Sequence, residues 1–327
     1  MPEGVSVIIC CYNSESRIAE TIRYISHQEI PTDLNWELII VNNASIDNTR
    51  LVASQSWTCK SPNASFHIVD EPVGGLSFAR LKGIEVSHFD TLIFCDDDNH
   101  LDANYVFNAN HLMRLNPGVG IMGGWVKPKL PIDPGKWIVD FYPALAIGKQ
   151  LEQDGNVDWV FGAGMILRKE IFSTLKKLKI ELMLSDRVGS KQTSGGDAEI
   201  CMVARFLGYS IFYSNTIILD HQIAAHRLTK KSFIKGNYRN VFPVVYLYLL
   251  ENLMKNKEES VRSMFRDFFI DRILIIGHFL PRCFFGRHRF YSFIMLYQNV
   301  QLFFWLLTQR ARFTSSASDI KKNLYHD

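Results

Sequence analysis

The stretch Thr91-Leu92-Ile93-Phe94-Cys95-Asp96-Asp97-Asp98 runs an apolar segment straight into three adjacent carboxylates. An apolar run without the alternation of a half-exposed strand is the pattern of a parallel strand covered on both faces. Such a strand delivers its carboxylates together at its carboxyl end. Carboxylates about 5 Å apart repel by roughly 3 kcal/mol per pair at an effective dielectric near 20. The cluster therefore requires a cation, a proton or full solvation. Side chains alternate along a strand, which sends Asp96 and Asp98 to one side and Asp97 to the other. Asp96 and Asp98 suit a hard cation, Mg²⁺ or Mn²⁺, with a diphosphate supplying further ligands. The plainer alternative is a solvated acidic turn.

Outward from this stretch the same pattern recurs. Nearly continuous apolar runs at 5–11, 36–41, 66–69, 118–122, 159–168 and 209–213 predict further strands. Mixed segments between them predict helices at 14–28, 46–56, 76–87, 102–115, 169–179 and 197–207, with Asp102 placed to cap the fourth and Gly208 to end the last. The alternation predicts a mostly parallel, open α/β sheet with flanking helices over residues 1–229. Polar clusters end four of the strands: Tyr12-Asn13, Asn42-Asn43, Asp70-Glu71 and Asp96-Asp97-Asp98. Ligands of open α/β sheets bind at the carboxyl edge, so all four clusters are expected to line one crevice. There is no GxxxxGK[ST] loop, and Gly162-Ala163-Gly164 reaches Leu167 where a dinucleotide fingerprint needs glycine.

Hydrophobic residues make up 47% of the 327 and charged residues 21%, which is the composition of a folded globular chain. A strand-like run begins at Val5 without a preceding leader pattern, and six scattered cysteines form no CxxC pair. Both point to a reducing, cytoplasmic setting without structural zinc. The net charge of +3 conceals an asymmetry. Residues 1–221 hold 19 Lys+Arg against 26 Asp+Glu, or −7, whereas residues 222–327 hold 17 against 7, or +10. A basic, aromatic-rich tail on an acidic body points to an anionic surface as partner.

Together these segments resemble the inverting family 2 glycosyltransferases, whose catalytic domain has the GT-A nucleotide-diphospho-sugar transferase fold. The resemblance spans 5–229. It is carried by Val5-Ser6-Val7-Ile8-Ile9-Cys10-Cys11-Tyr12-Asn13, Glu37-Leu38-Ile39-Ile40-Val41-Asn42-Asn43-Ala44-Ser45, Asp96-Asp97-Asp98, Gly162-Ala163-Gly164 and Gly195-Gly196-Asp197-Ala198-Glu199-Ile200. The run from Leu184-Ser185-Asp186-Arg187 to Gly196-Asp197 is similar to bacterial members that build surface polysaccharides. A nucleotidyltransferase would instead carry a Gly-rich, basic loop after the first strand, and Asn13-Ser14-Glu15-Ser16 is neither. A non-catalytic scaffold member remains a rival, on the strength of Asn42-Asn43 and Gly196 standing where many members have acidic residues.

The resemblance implies a nucleotide-diphosphate sugar as donor and a saccharide or lipid-linked saccharide as acceptor, with no nucleic-acid partner. It implies a Mn²⁺ or Mg²⁺ cofactor on Asp96, Asp98 and His221, Asp98 being the more direct ligand. The donor site it implies comprises Cys11, Tyr12, Asn13, Asn42, Asn43, Arg80, Asp96, Asp97 and the small-residue loop Gly162-Ala163-Gly164. Asn42 and Asn43 can read a base edge, since an amide donates and accepts, but offer no carboxylate to a ribose diol. Asp197 matches the central acid of the family's acidic motif and is the expected catalytic base. A helix cap is its alternative role. Glu199 lies two residues on and faces elsewhere. Trp159 and Phe161 are placed either to stack on a sugar or to fill the core.

Residues 230–327 lie beyond the resemblance and read as helical. Asp267, Asp271, His278 and Arg282 share one helical face opposite Phe268, Phe269 and Ile273, which is an amphipathic pattern. The apolar segment 293–307, flanked by Arg287, Arg289, Arg310 and Arg312, is shorter than the roughly 20 residues that span a bilayer. The expectation is a peripheral protein whose tail lies at the inner face of the cell membrane. The alternative is a helical hairpin packed on the catalytic domain or on a second copy of the chain.

Overall fold

A computed structural model describes residues 3–184, 194–237, 241–286 and 288–326. Its strands are β1 (Val5–Cys11), β2 (Trp36–Asn43), β3 (Ala64–Glu71), β4 (Thr91–Asp96), β5 (Asn99–Leu101), β6 (Val119–Lys129), β7 (Gly155–Val157), β8 (Ile166–Arg168) and β9 (Ser210–Gln222). The α-helices are α1 (Ile18–Ser26), α2 (Thr49–Ser56), α3 (Leu76–Val86), α4 (Tyr105–Leu115), α5 (Lys169–Leu178), α6 (Gly196–Phe206), α7 (Lys230–Asn237), α8 (Val241–Lys255), α9 (Val261–Phe285), α10 (Arg289–Thr308) and α11 (Arg310–Tyr325).

One sheet takes the strands in the order β3-β2-β1-β4-β8-β6-β9-β5, with β7 added against β9. β1 pairs with β2 and β4, and β2 with β3, all in parallel. Alternate residues of these apolar strands enter two separate cores. Ile8, Ile39, Val41, Leu92 and Phe94 face α3, α5 and α6. Val7, Ile9, Leu38, Ile40, Ile93 and Cys95 face α1 and α4. Both faces are covered, which is why the runs carry no polar alternation.

Three expectations need correction. The run 159–168 is strand only at Ile166–Arg168, and it runs antiparallel between β4 and β6. The glycines before it make a turn instead: Gly164 has φ +72, and the Met165 amide donates to the Gly162 carbonyl at 3.2 Å. The last core strand runs 13 residues rather than five, because Ser214, Asn215 and Thr216 interrupt its apolar pattern at a bulge. Asp154 satisfies that bulge by accepting from Ser214 Oγ and the Asn215 amide. Asp102 does not cap α4; Asn104 stands there, and Asp102 closes the preceding turn by accepting from the Asn104 and Tyr105 amides. Gly208 does end α6, at φ +93, with Tyr209 N donating to Ala204 O and Gly208 N to Arg205 O.

The C-terminal helices are packed into the body of the protein. Val245, Tyr246, Leu249 and Leu250 of α8 share a core with Ile200 and Val203 of α6, as do Phe313, Ala317 and Ile320 of α11. Helices α9 and α10 form an antiparallel hairpin, joined by Phe269 on Phe303 and by Arg272 Nη1 donating to Asn299 Oδ1 at 3.0 Å. Helix α10 has 20 residues, not 15, so length alone no longer separates it from a membrane span. Arg287 lies outside the described residues.

Candidate active site

Strand register brings the polar strand ends level. Cys11 pairs with Asn42, Asn42 with Asp70, and Cys10 with Asp96, so the ends of β3, β2, β1 and β4 share the sheet's carboxyl edge. The residues there divide into some that line the crevice and some that build it. Tyr12 is exposed. Asn13, at φ +49, accepts from the Ile46 amide at 2.9 Å through Oδ1 and donates its own amide to Ser45 Oγ, which ties β1 to the loop before α2. Asn43 is buried and spends its side chain on the loop after β3. Its Nδ2 donates to the Glu71 and Val73 carbonyls, and its Oδ1 accepts from the Gly75 amide at 2.7 Å. Asn42 Nδ2 donates to Asp70 Oδ1, while Asn42 Oδ1 is buried with no hydrogen-bond partner among the described residues. Cys11 is a core residue whose thiol burial pushes well above its ordinary range, so its side chain does not face the crevice.

Strand β4 stops at Asp96, and Asp97 and Asp98 stand in the turn after it, where they take different partners. Asp97 turns away from the crevice. It accepts from Arg17 Nε and Nη2, each at 2.8 Å, and from the Ser14 hydroxyl. The Thr21 hydroxyl donates to its carbonyl. These contacts tie it to the start of α1. Asp98 lies on the other side, where Oδ1 is 3.5 Å from His221 Nε2. Antiparallel pairing of β5 with β9 matches Asn99 to His221, 122 positions apart in sequence. His221 is buried, with its Nδ1 facing the Ala146 carbonyl at 3.4 Å and its Nε2 facing Asp98. Two neighbouring ligand atoms at this spacing fit a divalent cation. Asp96 does not complete a close three-ligand group with them.

Asp197 is the second residue of α6, after Gly195 at φ +116, so it is not the cap residue. Its Oδ1 accepts from Arg80 Nη1 at 2.7 Å, across 117 positions of sequence. Arg80 is buried, with its guanidinium 4.9 Å from the centre of the Phe94 ring. It is therefore no surface ion pair. Asp197 itself keeps 34% of its side chain accessible. Gly162 lies so close beneath it that a Cβ there would stand 2.1 Å from Asp197 Oδ2. Next to this loop Trp159 is exposed and Phe161 is buried, the two rings meeting edge to face at 5.4 Å.

Glu199 faces away from Asp197, as helical spacing requires. It accepts from the Met183 and Leu184 amides and from the Tyr246 hydroxyl, all within 2.8 Å. Burial pushes its carboxyl up and these donors pull it down, with burial winning. Glu199 thus joins α6, the segment at Met183–Leu184, and α8. Ser185, Asp186 and Arg187 lie outside the described residues. Sequence reasoning did not find Arg17, Ser14 or Tyr246. The first two carried a signal, a basic residue and a hydroxyl one turn apart after β1. Tyr246 had none.

The sequence profile described as "Glycosyl transferase family 2" matches residues 6–176. The chain belongs to that family. A glucosyl-dolichyl phosphate glucuronosyltransferase of Haloferax volcanii is 22% identical over 284 residues, 82% of this chain and 85% of that one. A poly-beta-1,6-N-acetyl-D-glucosamine synthase of Staphylococcus epidermidis is 28% identical over 123 residues, 37% of this chain and 28% of its own. Among solved structures, S. aureus TarS 1-349 in complex with UDP-GlcNAc superposes with a TM-score of 0.55 at 16% identity, over 98% of this chain and 89% of that one. The match covers 55% of a longer TarS chain. Mannosyltransferase PcManGT from Pyrobaculum calidifontis, in complex with GDP-Man and Mn²⁺, gives 0.56 at 16% identity, over 100% and 88%. These likenesses show the GT-A fold. The family 2 protein is a glycosyltransferase, and the nucleotidyltransferase and scaffold alternatives are set aside.

Proposed function

We propose that this family 2 glycosyltransferase is inverting and metal-dependent, and that it moves a sugar from a nucleotide diphosphate to an acceptor hydroxyl in cell-surface polysaccharide or glycolipid assembly. The observation that carries the reading is the Arg80–Asp197 pair over Gly162, an oriented and accessible carboxylate against a wall without side chains. The Asp197 carboxylate takes the proton of the acceptor hydroxyl as its oxygen attacks the anomeric carbon. The bond from that carbon to the diphosphate breaks on the opposite face, and its electron pair leaves with the diphosphate. Arg80 holds Asp197 in line throughout.

Asp98 and His221, with Asp96 nearby, would hold a Mn²⁺ or Mg²⁺ ion, which when bound offsets charge on the leaving diphosphate. Exposed Trp159 offers a sugar face a stacking surface. Asn43 and Asp97 serve by holding the loops around them.

The protein is proposed to work as a peripheral protein at the cytoplasmic face of the membrane. Ile273, Leu274, Leu280, Phe284 and Phe285 of α9 and Phe304 of α10 are exposed, beside a tail of net charge +10. Apolar side chains with basic neighbours suit an anionic bilayer surface. The names of the relatives, a glucosyl-dolichyl phosphate glucuronosyltransferase and a poly-beta-1,6-N-acetyl-D-glucosamine synthase, support a lipid-linked or saccharide acceptor. A panel of UDP-, GDP- and dTDP-sugars with Mn²⁺, followed by calorimetry and by slow donor hydrolysis, tests the reading. Binding and hydrolysis of one nucleotide class is expected, and no binding across the panel would overturn it.

A further inference from the structure

At the opposite end of the sheet from the donor crevice lies a second group of ligand atoms. Glu37 stands second in β2, five residues before Asn42, which is about 17 Å along a strand. Its side chain is completely buried, and its nearest ion-pair partners among the described residues are His67 of β3 and His88 after α3. Glu37 Oε1 is fixed from two sides, by Ser6 Oγ at 2.6 Å and the His88 amide at 2.7 Å. Its Oε2 faces the two imidazoles, 2.8 Å from His88 Nδ1 and 3.8 Å from His67 Nε2. The three ligand atoms all lie within 4.8 Å of one another. Lys169 senses the Glu37 charge, but its ammonium donates to the Ser87 carbonyl.

We infer that Glu37, His67 and His88 form a second metal site, distinct from the donor site, that takes a borderline divalent ion of the Zn²⁺ class. Donor atoms around a tetrahedral ion with bonds near 2.0–2.1 Å stand about 3.3 Å apart, and the two observed separations bracket that figure. Small rotations of the imidazoles make up the difference, since 46% of the His67 side chain and 66% of the His88 side chain are exposed. The carboxylate needs no rearrangement, because the two donors on Oε1 already orient it, as outer partners orient ligands at built metal sites. Two imidazoles and one carboxylate favour Zn²⁺, Ni²⁺ or Cu²⁺ over the Mg²⁺ or Mn²⁺ that an oxygen-rich donor site prefers. Three protein ligands leave a position open to water, the arrangement of an exchangeable ion. A bound cation also compensates the buried charge, which a neutral imidazole cannot do.

The test uses the full chain, stripped with chelator and then dialysed against Zn²⁺ alone, with bound metal measured directly and the melting temperature followed. Wild type and Asp98→Ala/His221→Ala should both retain the ion and melt higher with it. His67→Ala/His88→Ala should lose that binding by more than the roughly 10–100-fold that even outer partners cost. His67→Gln alone, which gives up only the 3.8 Å contact, should weaken Zn²⁺ while still folding. No Zn²⁺ on wild type, or equal Zn²⁺ on the double-histidine variant, would overturn the inference and leave a purely structural Glu37–His88 contact.

Discussion

Gly162→Ala isolates the geometry on which the proposed chemistry depends. Adding one methyl changes no charge and removes no hydrogen bond. Gly162 lies outside the positive-φ region, so alanine fits its backbone conformation. The added Cβ would stand 2.1 Å from Asp197 Oδ2, 2.3 Å from Cγ and 2.4 Å from Oδ1. Ordinary contact begins near 3.4 Å, so the carboxylate and the loop must part by about 1.3 Å. Asp197 cannot simply swing aside, because Oδ1 is held by buried Arg80 at 2.7 Å. A displacement of about 1 Å in a positioned group costs on the order of 100-fold in turnover. Overpacking should cost about 1–3 kcal/mol in stability. Steady-state transfer, donor affinity by calorimetry and thermal melting read the three quantities separately. Gly118→Ala, whose Cβ meets nothing within 4 Å, is the neutral control. Wild-type turnover in Gly162→Ala would refute the placement of Asp197 against the donor-side wall.

Other outcomes follow from the same geometry. Asp98→Ala should lose the Mn²⁺-dependent part of nucleotide-diphosphate affinity, because it removes the carboxylate 3.5 Å from His221 Nε2; calorimetry with and without Mn²⁺ reads this directly. Tyr246→Phe removes a buried donor to the Glu199 carboxylate and should cost about 1.5–3 kcal/mol by denaturant melting. Full-length protein should float with acidic vesicles, less so as salt rises, and Leu274→Ser/Phe284→Ser/Phe285→Ser should not. A salt-independent dimer lost in the same variant would assign that face to a second copy of the chain instead.

The α/β core was legible in the sequence because β1, β2 and β4 are buried on both faces, so each appears as a nearly continuous apolar run. The crevice was legible because polar residues begin where those runs end. Legibility failed where two distant segments meet. Nothing in Ser210–Gln222 declares a bulge fastened by Asp154, so the polar residues at 214–216 seemed to end the strand. Arg80 was placed near the nucleotide end, yet its actual partner stands 117 residues away on another helix. The triplet Asp96-Asp97-Asp98 was legible as an acidic strand end, but not that β4 stops at Asp96 or that Arg17 and Ser14 would claim Asp97. The tail shows the sharpest contrast. Its composition suggested a tail at the membrane surface, with packing on the catalytic domain as the alternative, and α8 contributes Val245, Tyr246 and Leu249 to a core shared with α6. Removing the tail would therefore expose that core, and surface substitutions are the sound probe of its apolar face.

The central claim is that Asp197 is the general base, and Asp197→Asn tests it most directly. Asparagine preserves size and can still accept from Arg80, while losing the ability to take a proton. Turnover should fall by about 10²–10⁴-fold, with donor affinity and melting temperature close to wild type. Turnover near that of wild type, with folding intact, would contradict the assignment.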